Sequence, residues 1–141
     1  MKIIAELTIP GEPVGKGRPR FTKNGHSFTP EKTVNYENLV KLTFKSDYPN
    51  AEPVAKDVPL AADITAWYRV PASVSRKKQE AMLANKLLPA KKPDTDNIAK
   101  AILDALNGLA YYDDAQIVEL TVAKRYGTVP CVEVVISEVS T

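Results

Sequence analysis

Residues 116–139 read QIVELTVAKRYGTVPCVEVVISEV, and how they fold sets the class of the whole chain. Two runs in which apolar and polar residues alternate, 116–126 and 131–139, flank Gly127-Thr-Val-Pro130, so the stretch predicts a hairpin of two antiparallel strands. Upstream, Leu60, Ala62, Ile64, Ala66, Tyr68 and Val70 alternate in the same way, and residues 2–9 predict a further strand. Helical signals lie between these runs. Thr29-Pro30-Glu31 predicts a helix start, with Thr29 as N-cap and Pro30 in the first position, followed by an apolar face of Tyr36, Leu39, Val40 and Phe44. Ser73 or Ser75 predicts the cap of a basic helix running to about Leu87, stopped by Pro89. A last helix is expected from about Asn97 to Asn107, ended by Gly108. Asn24-Gly25 suits a type I′ turn, in which both residues need positive φ, and Pro49, Pro53 and Pro59 mark a surface loop. The expected class is α+β (mixed α/β): a single small domain over 1–141, with helices packed on one mixed β-sheet.

The 141 residues are enough to bury a core without disulfides, and 44% apolar with 26% charged is a globular composition. No run approaches the roughly 18–20 apolar residues that cross a bilayer. MKIIAELTIPGE is broken by Glu6 and reads as a strand and not a signal peptide. The single cysteine, Cys131, sits in an alternating apolar run and reads as an inert buried thiol; a reducing cytoplasm is expected. The net charge of +2 does not by itself imply nucleic acid. Its distribution is more informative. Lys16, Arg18, Arg20 and Lys23 crowd near the N-terminus, and Arg76, Lys77, Lys78, Lys86, Lys91 and Lys92 fill the middle. Either cluster alone reads first as solvated surface charge.

The segment with chemistry in it is Lys91 to Gln116, KKPDTDNIAKAILDALNGLAYYDDAQ. It sets Asp94 and Asp96 just before a helix and Asp113-Asp114 shortly after it. A helix start needs one capping acid. A second acid two residues away adds repulsion, which a divalent cation relieves. An eleven-residue helix is about 16 Å long, and seven extended residues reach about 23 Å, so the following chain is long enough to return Asp114 to the start of the helix. Lys100 lies four residues after Asp96 and four before Asp104, on one helix face. Either it forms a structural i,i+4 ion pair, or it places an ammonium beside a metal and phosphate.

Other acidic motifs fit less well. An EF-hand beginning at Asp94 would need an oxygen ligand where Ile98 stands and glycine where Ala99 stands. A phosphatase-type DxD follows an apolar strand, whereas Asp94 follows PAKKP, and glycosyltransferase domains with DxD are usually longer. No GxxxxGK[ST] or GxGxxG occurs, so no nucleotide cofactor is expected. One histidine, His26, beside a turn and one cysteine argue against zinc. What remains is an all-oxygen site suited to Mg²⁺ or Mn²⁺, with a phosphodiester as substrate.

Asp94-Thr-Asp96-Asn97, Lys100, Asp104-Ala105-Leu106 and Asp113-Asp114-Ala115-Gln116 together resemble the signature of the RusA family of Holliday junction resolvases. PGEPVGKGRPRF and the TPEKTVNYE run resemble phage-type members of that family. The resemblance covers most of the chain and is weakest over residues 45–90. It implies a Mg²⁺-dependent, homodimeric endodeoxyribonuclease of bacterial or phage origin, acting on branched DNA in recombination and repair. It carries the essential acids to Asp94, Asp96 and Asp114, the essential lysine to Lys100, and an outer or alternative ligand to Asp113. Some members have a basic residue just before the first aspartate; here Pro93 stands there, and Lys91 or Lys92 takes over the phosphate contact. Lys16, Arg18 and Arg20 are expected to line the DNA, with neighbouring glycines letting backbone approach phosphates. Two alternatives stay open: a branched-DNA-binding module that does not cut, and an interaction protein with a calcium-stabilised acidic loop.

Overall fold

Residues 2–139 are described by a computed structural model. Strand β1 (Ile3–Pro10) is followed by a short arm and a ribbon, β2 (Arg20–Phe21) and β3 (Ser27–Phe28). Next come helix α1 (Glu31–Asp47), strand β4 (Leu60–Arg69), helix α2 (Arg76–Leu83) and helix α3 (Thr95–Leu106). A 3₁₀ turn at Asp114–Gln116 leads into strands β5 (Ile117–Gly127) and β6 (Cys131–Glu138). The α+β class read from the sequence is borne out: four strands form one mixed sheet in the order β1-β6-β4-β5.

Alternation explains the layering. Leu7, Val134 and Ile64 lie side by side across β1, β6 and β4, as do Ala5, Ile136 and Ala62, and all are buried. That face receives α1 and α3. Tyr36, Val40 and Phe44 of α1, and Ile98, Ile102, Ala105 and Leu106 of α3, are buried against it. Each fully buried Leu or Ile contributes about 1.5–3 kcal/mol. The opposite face carries Glu6, Asp63, Glu119 and Glu133, as expected of a sheet with one wet side.

The expected hairpin of 116–126 with 131–139 does not form. Strand β4 lies between its two arms, parallel to β5 and antiparallel to β6. Alternation identifies strands but not neighbours, and β4, with five buried inward residues, gains most from a strand on each side. The linker 128–130 crosses over the end of β4. Four Cα steps reach about 13–14 Å, more than the roughly 9.6 Å between strands two apart. Val70 N–H donates to the Gly127 carbonyl at this crossing, and a Cβ on Gly127 would come within 3.2 Å of the Trp67 ring.

Smaller departures have local causes. α1 starts after Pro30, so Thr29 is not its cap and no side chain caps it. Only Gly25, not Asn24, has positive φ, in a longer turn closed by Gly25 N–H to the Thr22 carbonyl; a type I′ pair is therefore absent there. α2 is capped by Ser75 as one of the two expected serines, but it ends at Leu83 and Asn85 turns the chain with φ 61°. α3 begins two residues earlier than expected, which brings Asp96 into its first turn. Cys131 is half-buried rather than buried, and burial followed by Glu133 pushes its thiol up.

The arm after β1 is fastened to both long helices. Lys16 N–H donates to the Asn97 carbonyl at 2.9 Å, and Gly17 N–H donates to Thr33 Oγ1 at 2.9 Å. A Cβ on Gly15 would meet Pro93 Cβ at 2.7 Å, and one on Gly17 would meet Pro30 and Thr33 at 2.9 Å. These glycines thus admit the side chains of Pro93, Asn97, Pro30 and Thr33, where the sequence had suggested phosphate. Gly15→Ala is expected to destabilise the fold by about 1–3 kcal/mol, because the new methyl would clash with the rigid Pro93 ring and with Asn97 Cβ. Urea unfolding checks this; an unchanged midpoint would mean that the arm is loosely held.

Candidate functional site

Helix α3 carries the acids expected to matter. Its apolar residues recur at helical spacing, which fixes the buried face and leaves Asp96, Lys100 and Asp104 along the other side. Asp94 occupies the N-cap position, yet its side chain makes no capping hydrogen bond. Capping therefore does not account for either carboxylate: both Asp94 and Asp96 are exposed, with their oxygens free.

The return path imagined for Asp114 is not taken. The chain turns at once after α3, with Gly108 at φ 77° and its N–H donating to the Tyr111 carbonyl at 2.7 Å. Asp114 N–H then donates to Asn107 Oδ1 at 2.9 Å, which holds Asp114 at the far end of the helix. Desolvation pushes the Asp114 carboxyl up; Asp104, Asp113 and a hydrogen bond to Asp104 add to this, and Lys100 opposes it. The acids thus form two groups along α3. Asp94 and Asp96 stand at its start, and Asp104, Asp113 and Asp114 at its end, with Lys100 between. From Asp96 to Asp104 the helix rises about 12 Å. Among the described residues, no three His, Cys, Asp or Glu side chains converge into a finished metal cage. The donor chemistry nonetheless fits a hard divalent cation. All donors are oxygen, two carboxylates are spared from capping, and a third is held up by burial and then by neighbouring negative charge that a cation would relieve.

Asp113 and Asp114 differ in what they do. Asp113 accepts from Ala115 N–H and closes a capping box with Gln116. The Gln116 Oε1 accepts from the Tyr112 and Asp113 N–H groups, at 2.9 and 3.2 Å, and its Nε2 donates to the Ala55 and Val58 carbonyls. Gln116 and Asn107 are thus positioning residues for Asp114, roles that sequence reading did not assign. The DDxQ spacing was their one visible signal, since buried glutamine with every polar atom paired fixes a turn.

Basic side chains flank the start of α3. A cleft of about 540 Å³ lies between Lys16, Arg18, Lys92, Asp94 and Asn97. A second of about 400 Å³, with Lys32, Tyr68, Lys91 and Lys92, adjoins it across Gly15 and Pro93. Arg18, Arg20, Lys91 and Lys92 are exposed. Lys91 Nζ stands 5.5 Å above the Tyr68 ring and 5.7 Å from Tyr126, and its carbonyl accepts from Lys124 Nζ. The Tyr68 hydroxyl, pushed up to about 12 by burial and then by Glu12 and Asp94, keeps its proton and donates to the Pro93 carbonyl at 3.1 Å. Lys16 differs from its neighbours: its ammonium lies 2.9 Å from Glu37 and 3.4 Å from Asp104. Its pKa is raised because those acids outweigh desolvation. Asp104 therefore pairs with Lys16, and the ion pair weighed for Lys100 is not among those formed. His26 is exposed in the β2–β3 turn, remote from the α3 chemistry in every contact it makes.

Comparison with known proteins fits this chain into a group. Over 140 residues it is 40% identical to an uncharacterized protein, YqaN, of Bacillus subtilis (strain 168), covering 96% of both chains. The sequence profile described as Endodeoxyribonuclease RusA matches residues 10–137, from the end of β1 through β6. With its fold, its α3 acids and that match across nearly the whole chain, the protein belongs to the RusA endodeoxyribonuclease family.

Proposed function

We propose that the protein is a Mg²⁺-dependent endodeoxyribonuclease that resolves four-way (Holliday) junctions by paired symmetric nicks, in DNA recombination and repair. The observation that carries this reading is the seating of a basic arm on the start of an acid-bearing helix, in a chain of this family. In this reading Asp94, Asp96 and Asp114 are the cation ligands, Asp94 and Asp96 for an ion at the start of α3 and Asp114, with Asp113 in an outer position, for one at its end, and Mn²⁺ can serve in place of Mg²⁺. The cation, when bound, supplies Lewis-acid activation of water and charge neutralisation at the leaving oxygen. Lys100, between the two groups of acids, holds a phosphate oxygen and neutralises charge as the P–O bond breaks. Arg18, Arg20, Lys91 and Lys92 contact backbone phosphates, while Lys16 contributes less because Glu37 and Asp104 already occupy it. A four-way junction is near two-fold symmetric, so two cuts related by that symmetry call for a homodimer with two sites. The setting is the cytoplasm of a bacterium, with a chromosomal or phage gene.

Asp96→Asn is expected to lower junction cleavage at least about 100-fold while keeping or improving junction binding, because a negative charge near the phosphates is lost. Loss of binding together with cutting would make Asp96 a structural acid. Lys100→Ala should slow cutting about 100-fold with affinity changed less than about threefold; an unchanged rate would remove it from the chemistry. Removing Arg18 and Arg20 together should flatten the dependence of log affinity on log salt by roughly 0.9 per lost phosphate contact, and Lys16→Ala should flatten it less. A slope that does not respond to the arginines would put DNA on another surface.

A further inference from the structure

Between Glu12 and Glu31 the chain carries no acid; its cations there are Lys16, Arg18, Arg20 and Lys23, with His26 beside them. The Lys16 ammonium is taken by Glu37 and Asp104. Among the described residues, no carboxylate lies within ion-pair reach of Arg18, Arg20 or Lys23. On this segment stands the ribbon of β2 and β3, and every residue from Arg18 to Phe28 is exposed. The tip is closed by its own bonds. Thr22 N–H donates to the His26 carbonyl at 2.8 Å, Gly25 N–H to the Thr22 carbonyl at 3.0 Å, and His26 N–H to Thr22 Oγ1 at 3.2 Å. The ribbon is thus a self-closed projection and not part of the core.

Two phenylalanines stand on that projection, Phe21 at 72% exposure and Phe28 at 47%. Cross-strand partners share a face of a ribbon, and successive residues alternate between faces. Phe21, opposite Ser27, therefore lies on one face, and Phe28, opposite Arg20, on the other. A ring left in water forgoes the gain of burial, so an aromatic on each face of an exposed ribbon calls for an occupant. Charge decides which. A second copy would bring the same cations face to face, whereas a polyanion with flat apolar faces suits both the cations and the rings. Nucleobases are that partner, because they stack on aromatic side chains whatever their sequence. Inside a continuous duplex each base is already covered by its neighbours. In an opened four-way junction, each arm ends on a base pair with one face bare.

We propose that the β2–β3 ribbon is a base-stacking finger, with Phe21 and Phe28 each covering a bare base pair at the branch point of an opened junction. This rests on the branched-DNA reading above and names the feature of the junction that the chain reads. The arm brings the finger within range. Lys16 N–H is bonded to the Asn97 carbonyl on α3, and Phe21 follows five residues later, a reach of at most about 16–18 Å. At about 3.4 Å per nucleotide, that is roughly five nucleotides from a phosphate held beside Asp94 and Asp96.

The test is the affinity of the full chain for a synthetic four-way junction and for a matched linear duplex, in EDTA so that no strand is cut. Phe21→Ala should weaken junction binding about tenfold and duplex binding less than about twofold. The dependence on salt should keep its slope, because a phenyl ring neutralises no phosphate. Phe28→Ala should act in the same sense, and Phe21→Trp should keep the wild-type affinity. Abasic sites at the branch point remove the stacking partner, so on that junction Phe21→Ala and the wild type should bind alike. An equal loss on junction and duplex, or an undiminished loss on the abasic junction, would overturn the finger. So would a double alanine variant with unchanged junction affinity; if light scattering showed that variant with altered mass, the ribbon would belong between protein copies. Junction cleavage in Mg²⁺, run in parallel, keeps the two readings apart. The stacking pattern without cuts preserves the finger and removes the resolvase reading, whereas a double alanine variant that binds and cuts like the wild type does the reverse.

Discussion

The close approach of the Gly15–Gly17 backbone to α1 and α3 is the contact on which the rest of the site depends. A side chain at either glycine would collide with Pro93 or with Pro30 and Thr33. Because nothing intervenes, the arm can spend its N–H groups on the Asn97 carbonyl and the Thr33 hydroxyl. The exposed arginines that follow are thereby anchored to the same helix start that carries Asp94 and Asp96. A basic segment on a free tether would have to be ordered afresh at each encounter with DNA, at an entropic cost of about 1–2 kcal/mol per residue.

Electrostatics along α3 follow from that arrangement. Lys16 spans Glu37 and Asp104, which leaves Asp104 to share its other side with Asp114, and Lys100 sits between this group and the pair at the helix start. Carboxylates so close together repel each other, which adds to the burial that first raises the Asp114 carboxyl. Lys100 offsets part of that repulsion, and a hard cation would offset more. Stability alone would be served better by replacing one of the acids, so their clustering along and just after a well-packed helix fits a chemical role.

Much of this was legible from residues whose local physics is decisive. The apolar period of α3, the glycine past its end and the alternation of β4 identify their elements almost to the residue. Other features depend on partners far along the chain. The alternation of 117–127 and 131–138 is compatible with a hairpin, and only the competition of β4 for both neighbours separates them. Chain length set a limit on where Asp114 could go but not a path; the tight turn at Gly108 and the Asn107 side chain chose the path. Gln116 looked like one letter of a motif, and its role emerged when the loop carbonyls of Ala55 and Val58 came within reach of its amide. The glycines of the arm were visible as close-approach positions, but whether protein or phosphate would approach them was not.

Nuclease families place few residues on a stable scaffold, and fold alone does not settle chemistry. The most direct measurement is cleavage of a labelled synthetic four-way junction beside a matched linear duplex, in Mg²⁺ and in EDTA. Paired symmetric nicks on the junction alone, and only with Mg²⁺, are the expected result. Tight junction binding without cuts, across several junction sequences and divalent metals, would contradict the enzyme reading and leave Asp94, Asp96 and Asp114 as acids with another purpose.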